Sequence, residues 1–125
     1  MPGKKSTFVD HVVHELLAGI DGITSRAMFG GHGVYKGGII FAIIVNDELY
    51  FKVDGSNKGE YEARSSHPFV YSQGGHAATT MSYWLVPDEV LDDPDLLASW
   101  VDVSVGISKA NKSNASKKKP TTMHD

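Results

Sequence analysis

An α+β fold, with helices packed on one face of a sheet, follows from three observations. Val9, Val12, Val13, Leu16 and Leu17 recur at helical spacing near the start of the chain. Three apolar runs, residues 39–45, 49–53 and 80–86, have the length or alternation of strands. The pairs Gly37-Gly38 and Asn46-Asp47 stand where hairpin turns are needed. The expected order is helix, three antiparallel strands, helix, two strands, helix, a two-layer sandwich.

Each element has its own signal. The first helix is predicted over residues 7–17, with Thr7 and Asp10 spaced as a capping box and Gly19 and Gly22 at the exit. The first strand is predicted to contain Arg26-Ala-Met-Phe29 and to resume at Gly33-Val-Tyr-Lys36, with Gly30-Gly31 as a bulge or close backbone approach. The second is Ile39–Val45. The third is residues 49–53, where Leu49, Phe51 and Val53 alternate with Tyr50 and Lys52. Residues 57–64 form a short helix despite Gly59. Residues 69–71 and 80–86 are the last two strands, on either side of a loop holding Gly74-Gly75. Asp93 caps the final helix with Pro94 at its first position, and Leu97, Trp100, Val101 and Ser104 share a face. The β-branched Val101, Val103 and Val105 predict early fraying.

The 125 residues are enough for one domain, with 41% hydrophobic and 22% charged residues. We divide them into a disordered lead (1–5), a folded domain (6–107) and a disordered lysine-rich tail (108–125), the tail being too polar to repay ordering. With no cysteine, disulfide scaffolds, thiol chemistry and Cys-ligated zinc are excluded. The longest apolar run is too short for a membrane span, and Asp10 and Glu15 follow Lys4 and Lys5 where a signal peptide would be apolar. The cytoplasm is the expected location, with no membrane partner. The net charge of −3 hides an asymmetry: residues 6–106 hold five basic and fourteen acidic residues, a net of −9. The lysines gather at the ends, so any non-specific nucleic-acid contact falls to the tail, at Lys117, Lys118 and Lys119.

Patterns that could carry chemistry have plainer readings. Gly31-x-Gly33 begins like a dinucleotide fingerprint, but Lys36 occupies the last glycine position and a hairpin follows instead of a helix. His11 and Glu15 share a helix face, as a metal pair could, yet a solvated polar face explains them. His32, His67 and His76 lie near loops, and whether they converge is open. Asp88, Glu89, Asp92, Asp93 and Asp95 cluster where a helix starts, which suits the dipole without a cation. No catalytic residue, cofactor or metal is expected. Tyr83 and Trp84 fall on opposite strand faces, and either aromatic beside Arg26 and Lys52 would make a partner-binding spot, the alternative being that all are core.

Arg26-Ala-Met-Phe-Gly-Gly-His-Gly-Val-Tyr35, Leu49-Tyr-Phe-Lys-Val53, Met81-Ser-Tyr-Trp84 and Val86-Pro-Asp-Glu-Val-Leu-Asp-Asp-Pro94, in this order, resemble the N-terminal domain of the TfoX/Sxy bacterial competence regulators. The resemblance runs from about Val9 to Trp100 and is to the stand-alone N-terminal form. It implies a secretion-chaperone-like fold, no enzymatic activity or cofactor, and a regulatory role in transcription through contacts with another protein. The residues expected to act as contacts or as structural motif are Arg26, Met28, Phe29, Gly30, Gly31, Tyr35, Lys52, Tyr83 and Trp84. The alternatives are a nucleic-acid-associated protein using its basic tails and, last, a small-molecule or metal-binding domain. Monomer and homodimer are both open.

Overall fold

The computed structural model describes residues 7–28, 31–71 and 79–121, and the side chains of these except at 7, 71, 79–81 and 112–121. The chain opens with α1 (Thr7–His11), which widens into one π-helical turn, Val12–Leu16. Leu17 N–H reaches back to the Val12 carbonyl at 2.9 Å, five residues earlier. The wide turn lets both Val12 and Leu17 enter the core, at 0% and 1% exposure.

The sheet has six strands: β1 (Ile23–Met28), β2 (Gly31–Lys36), β3 (Ile39–Val45), β4 (Glu48–Lys52), β5 (Pro68–Tyr71) and β6 (Thr79–Leu85). Their order across the sheet is β1-β2-β3-β4-β6-β5, and every pair is antiparallel. The α+β class stands, but the first expected strand is two. Met28 pairs with Gly31 and Arg26 with Gly33, so the two segments are antiparallel partners instead of parts of one strand. The sequence does not mark β1 off from β2, because the four central residues of β1 are exposed and carry no apolar alternation. Gly31 does serve a close approach: a Cβ there would collide with the Ile44 carbonyl oxygen. The bulge lies elsewhere. The register shifts between Val34↔Ala42 and Tyr35↔Ile40, leaving Phe41 as the extra residue, fully buried and edge-on to Phe51 at 5.6 Å.

Both predicted two-residue turns are present. Gly37 and Gly38 take φ of 56° and 83°, and Asn46 and Asp47 take 52° and 61°. Positive φ at both central positions suits the twist of a hairpin, and Asn and Asp tolerate it better than other non-glycine residues.

Three further helices follow: α2 (Lys58–Glu62), the short α3 (Asp88–Leu91), which the sequence did not announce, and α4 (Pro94–Thr121). Asp93 caps α4, its Oδ1 accepting from Leu96 N–H at 3.1 Å. Leu97, Trp100, Val101, Ser104 and Ile107 bury one face. The helix does not fray at its valines, since Val101 packs in the core and Val105 lies against it. Backbone helix continues through 108–121, where composition predicts a disordered tail. Val12, Tyr61, Val90 and Leu97, one from each helical segment, join Val34, Phe41 and Phe51 in one core on one side of the sheet.

Candidate functional site

Cross-strand partners share a face, so the register separates the sheet into two sides. Val34, Ala42, Phe51 and Trp84 form one row across β2, β3, β4 and β6. Val34, Ala42 and Phe51 are fully buried. Trp84 is half-buried and meets Tyr61 at 6.3 Å, while Tyr61 meets Trp100 at 4.5 Å. Arg64 lies over Trp100 at 5.2 Å and is paired with Glu60 and Glu89 at 3.1 and 3.0 Å. Trp84 is therefore part of the helix-side packing.

One residue along each strand, Arg26, Gly33, Ile43, Tyr50 and Leu85 form the neighbouring row on the opposite side. Period-two alternation adds Met28, Tyr35, Lys52 and Tyr83 to this face, and pairing with Tyr35 adds Ile40. The helices' core residues all lie on the other side. Ile43 and Tyr50, at the centre, are buried, whereas Met28, Tyr35, Lys52, Tyr83 and Leu85 are half-buried and Arg26 is exposed.

The side chains on this face are ordered by one another. The Arg26 guanidinium lies over the Tyr35 ring at 5.6 Å, and the Lys52 ammonium over the Tyr83 ring at 5.2 Å. Lys52 also donates to Ser82 Oγ at 3.0 Å. Tyr50 stacks edge-on with Phe69 at 5.2 Å and donates to Glu48 Oε1 at 2.8 Å. Burial, then the Glu48 hydrogen bond and charge, push the Tyr50 hydroxyl up to about 12. Burial raises Tyr83 as well, with a smaller push from Tyr35, so the two rings sense each other across the face. The space over Gly33 is filled by its neighbours: a Cβ there would meet Met28 Sδ, Ile40 Cδ1 and Tyr35 Cε1 within 3.3 Å.

The structure thus brings together Arg26, Met28, Tyr35, Lys52 and Tyr83 of the expected residues. Gly31 lies at the start of β2, against the β3 backbone. Phe29 and Gly30 lie outside the described residues, as do the side chains of Lys117, Lys118 and Lys119. Sequence reading missed Ile40, Ile43, Tyr50 and Phe69. Tyr50 could have been found, because it shares its strand parity with Lys52. Ile43 could not, because Ile39–Val45 is apolar on both faces.

The other candidates stay apart. His11 Nδ1 and Glu15 Oε1 are 3.1 Å apart and both exposed. His32 lies within β2 and His67 is exposed before β5, while His76 is outside the described residues. Among the described residues, no group of three or more His, Asp or Glu is placed to hold a metal ion. Among them too, no helix is long and apolar enough to cross a membrane.

Set against known families, residues 15–107 match the model of the TfoX N-terminal domain. No curated protein matches the chain.

Proposed function

The chain belongs to the TfoX N-terminal domain family, and from that premise we propose that it is a non-enzymatic regulatory adaptor acting on transcription through protein contacts made by the open sheet face. Family membership supports a TfoX-like regulatory domain. The observation that carries the rest is the pair of cation–tyrosine stacks, Arg26 on Tyr35 and Lys52 on Tyr83, on the side of the sheet opposite the helix-covered core. Aromatic and arginine side chains held in place before binding lose little entropy on docking and are the types that dominate protein interfaces. Among the described residues the face brings no nucleophile and base into a pair, and burial favours the neutral form of Tyr50 and Tyr83, which suits contact more than proton transfer. The site of action is the cytoplasm, beside the transcription machinery.

The test is capture of partners from the source cells after nuclease treatment, comparing the full chain with a Tyr35→Ala, Tyr83→Ala double variant whose fold is verified by circular dichroism. The expected result is that wild type retains a transcription factor or RNA polymerase and the variant does not. Equal retention by the folded variant refutes the face, and retention that vanishes with nuclease refutes the protein-contact reading in favour of nucleic acid.

A further inference from the structure

Residues 6–106 carry a net charge of −9, and of their five cations Lys58 and Arg64 make ion pairs while Arg26, Lys36 and Lys52 make none among the described residues. On the helix side, Lys58 lies 4.0 Å from Glu62, and Arg64 is held between Glu60 and Glu89. On the open face, Arg26 and Lys52 make no ion pair among the described residues. Each rests on a tyrosine ring instead. Asp54 feels the charge of Lys52 without forming an ion pair with it, and its Oδ1 accepts from the backbone and hydroxyl of Ser56. Glu48, the acid on the face itself, is taken by the Tyr50 hydroxyl.

The geometry points to a partner segment that is acidic and carries apolar side chains: its carboxylates would meet Arg26 and Lys52, and its apolar groups would cover Tyr35, Ile40 and Tyr83. This rests on the open face being the contact surface and adds the chemistry of what it contacts. A cation stacked on a ring is partly desolvated and already oriented, so it gains more from an incoming carboxylate than a free surface lysine does.

Two other occupants fit less well. A second copy laid face to face would bring two arginines and two lysines together, and like charges across an interface oppose association. Single-stranded nucleic acid binds by stacking bases on open aromatic rings along a basic groove. Here the guanidinium and the ammonium lie over the tyrosine rings, and the surrounding body is acidic.

The experiment is fluorescence anisotropy on the full chain with a labelled dodecapeptide rich in Glu and carrying Phe and Leu. The comparison probes are the same peptide with Gln for every Glu and a single-stranded oligonucleotide of equal length. The Glu peptide should bind about tenfold tighter than the Gln peptide, the size of two partly exposed charge contacts. Raising the salt should shrink that ratio. Arg26→Gln with Lys52→Gln should abolish it, and Arg26→Lys with Lys52→Arg should retain most of it. Equal binding of the Glu and Gln peptides overturns the proposal, as does a preference that survives the double Gln variant. Tighter binding of the oligonucleotide overturns it in favour of nucleic acid. A dimer in sedimentation that the Glu peptide does not dissociate overturns it in favour of self-association. If the acid preference is absent while the Tyr35, Tyr83 variant still loses its captured partner, the contact surface stands and only its chemistry changes. If that variant keeps its partner, the surface itself is wrong.

Discussion

Two rows of side chains cross the sheet one residue apart. Val34, Ala42, Phe51 and Trp84 face the helices, and Gly33, Ile43, Tyr50 and Leu85 face away. The backbone hydrogen bonding is shared, so the sheet cannot distinguish them. What differs is the chemistry. The first row is carbon packed against carbon. The second has no side chain at Gly33, aliphatic carbon at Ile43 and Leu85, and at Tyr50 a hydroxyl that donates to Glu48. A buried strand that is apolar on both sides, as β3 is, serves both rows at once. The comparison teaches that stability and recognition can be assigned to alternate residues of one strand.

That division can be broken or sharpened by substitution. The largest effect is expected at Phe51, which is fully buried and set against Phe41. Phe51→Ala should cost about 3–5 kcal/mol, read as a fall in the urea midpoint, because the cavity it leaves cannot collapse within a sheet. A loss no larger than that of Tyr83→Ala would mean the two faces share the core equally.

Next come the two glycines of β2. Gly31→Ala drives a Cβ into the Ile44 carbonyl, a backbone atom, and should cost about 1–3 kcal/mol. Gly33→Ala meets only the ends of flexible side chains, Met28 Sδ first, and should cost less than half as much. Paired denaturation curves give the order, and its reversal would remove the distinction between backbone and side-chain crowding.

A smaller change is expected at Ser104, wholly buried on α4, whose hydroxyl donates to the Lys52 carbonyl oxygen at 2.8 Å. Asn57 Nδ2 also reaches that oxygen, at 3.4 Å, so it is not left bare. Ser104→Ala should therefore cost about 1 kcal/mol by thermal or chemical denaturation. A neutral result would mean that α4 is held by its apolar face alone.

The smallest effect appears only in alkali. Tyr50 is raised from 10.0 to about 12 in the folded chain. Below pH 10 it is neutral whether folded or unfolded, and its stabilisation is complete. Between 10 and 12 the unfolded chain gives up the proton first, so stability falls as the pH rises. Tyr61 and Tyr83, also raised, add to the same fall. Urea midpoints at pH 9 and 11 should differ less in Tyr50→Phe than in wild type, and an unchanged difference would place the alkaline loss on the other two tyrosines.

Much of this was legible in the sequence, for local reasons. Gly37-Gly38, Asn46-Asp47 and Asp93-Pro94 each act through their own backbone, so residue type suffices. The split of β1 from β2 was not legible, because an exposed edge strand such as Ile23–Met28 has no buried face to imprint a pattern. The opposite faces of Tyr83 and Trp84 followed from alternation. Which of them faced the helices did not, because that depends on Tyr61 and Trp100, far along the chain. The Phe41 bulge was hidden for the same reason as Ile43: a uniformly apolar strand does not reveal where its register slips.

The strand order also has a meaning in time. β1 to β4 follow one another as neighbouring hairpins, whereas β6 reaches β4 only after some thirty intervening residues, pairing Tyr50 with Leu85 and Lys52 with Tyr83. Contacts close in sequence form sooner than distant ones, since less chain entropy is lost in closing them. The meander is thus expected to fold first, with pulse-labelled hydrogen exchange protecting β2 and β3 before β6. The face would then be assembled in two halves, Arg26 and Tyr35 on the early one and Tyr83 on the late one, and Lys52 acquires its aromatic seat only when the final strand docks.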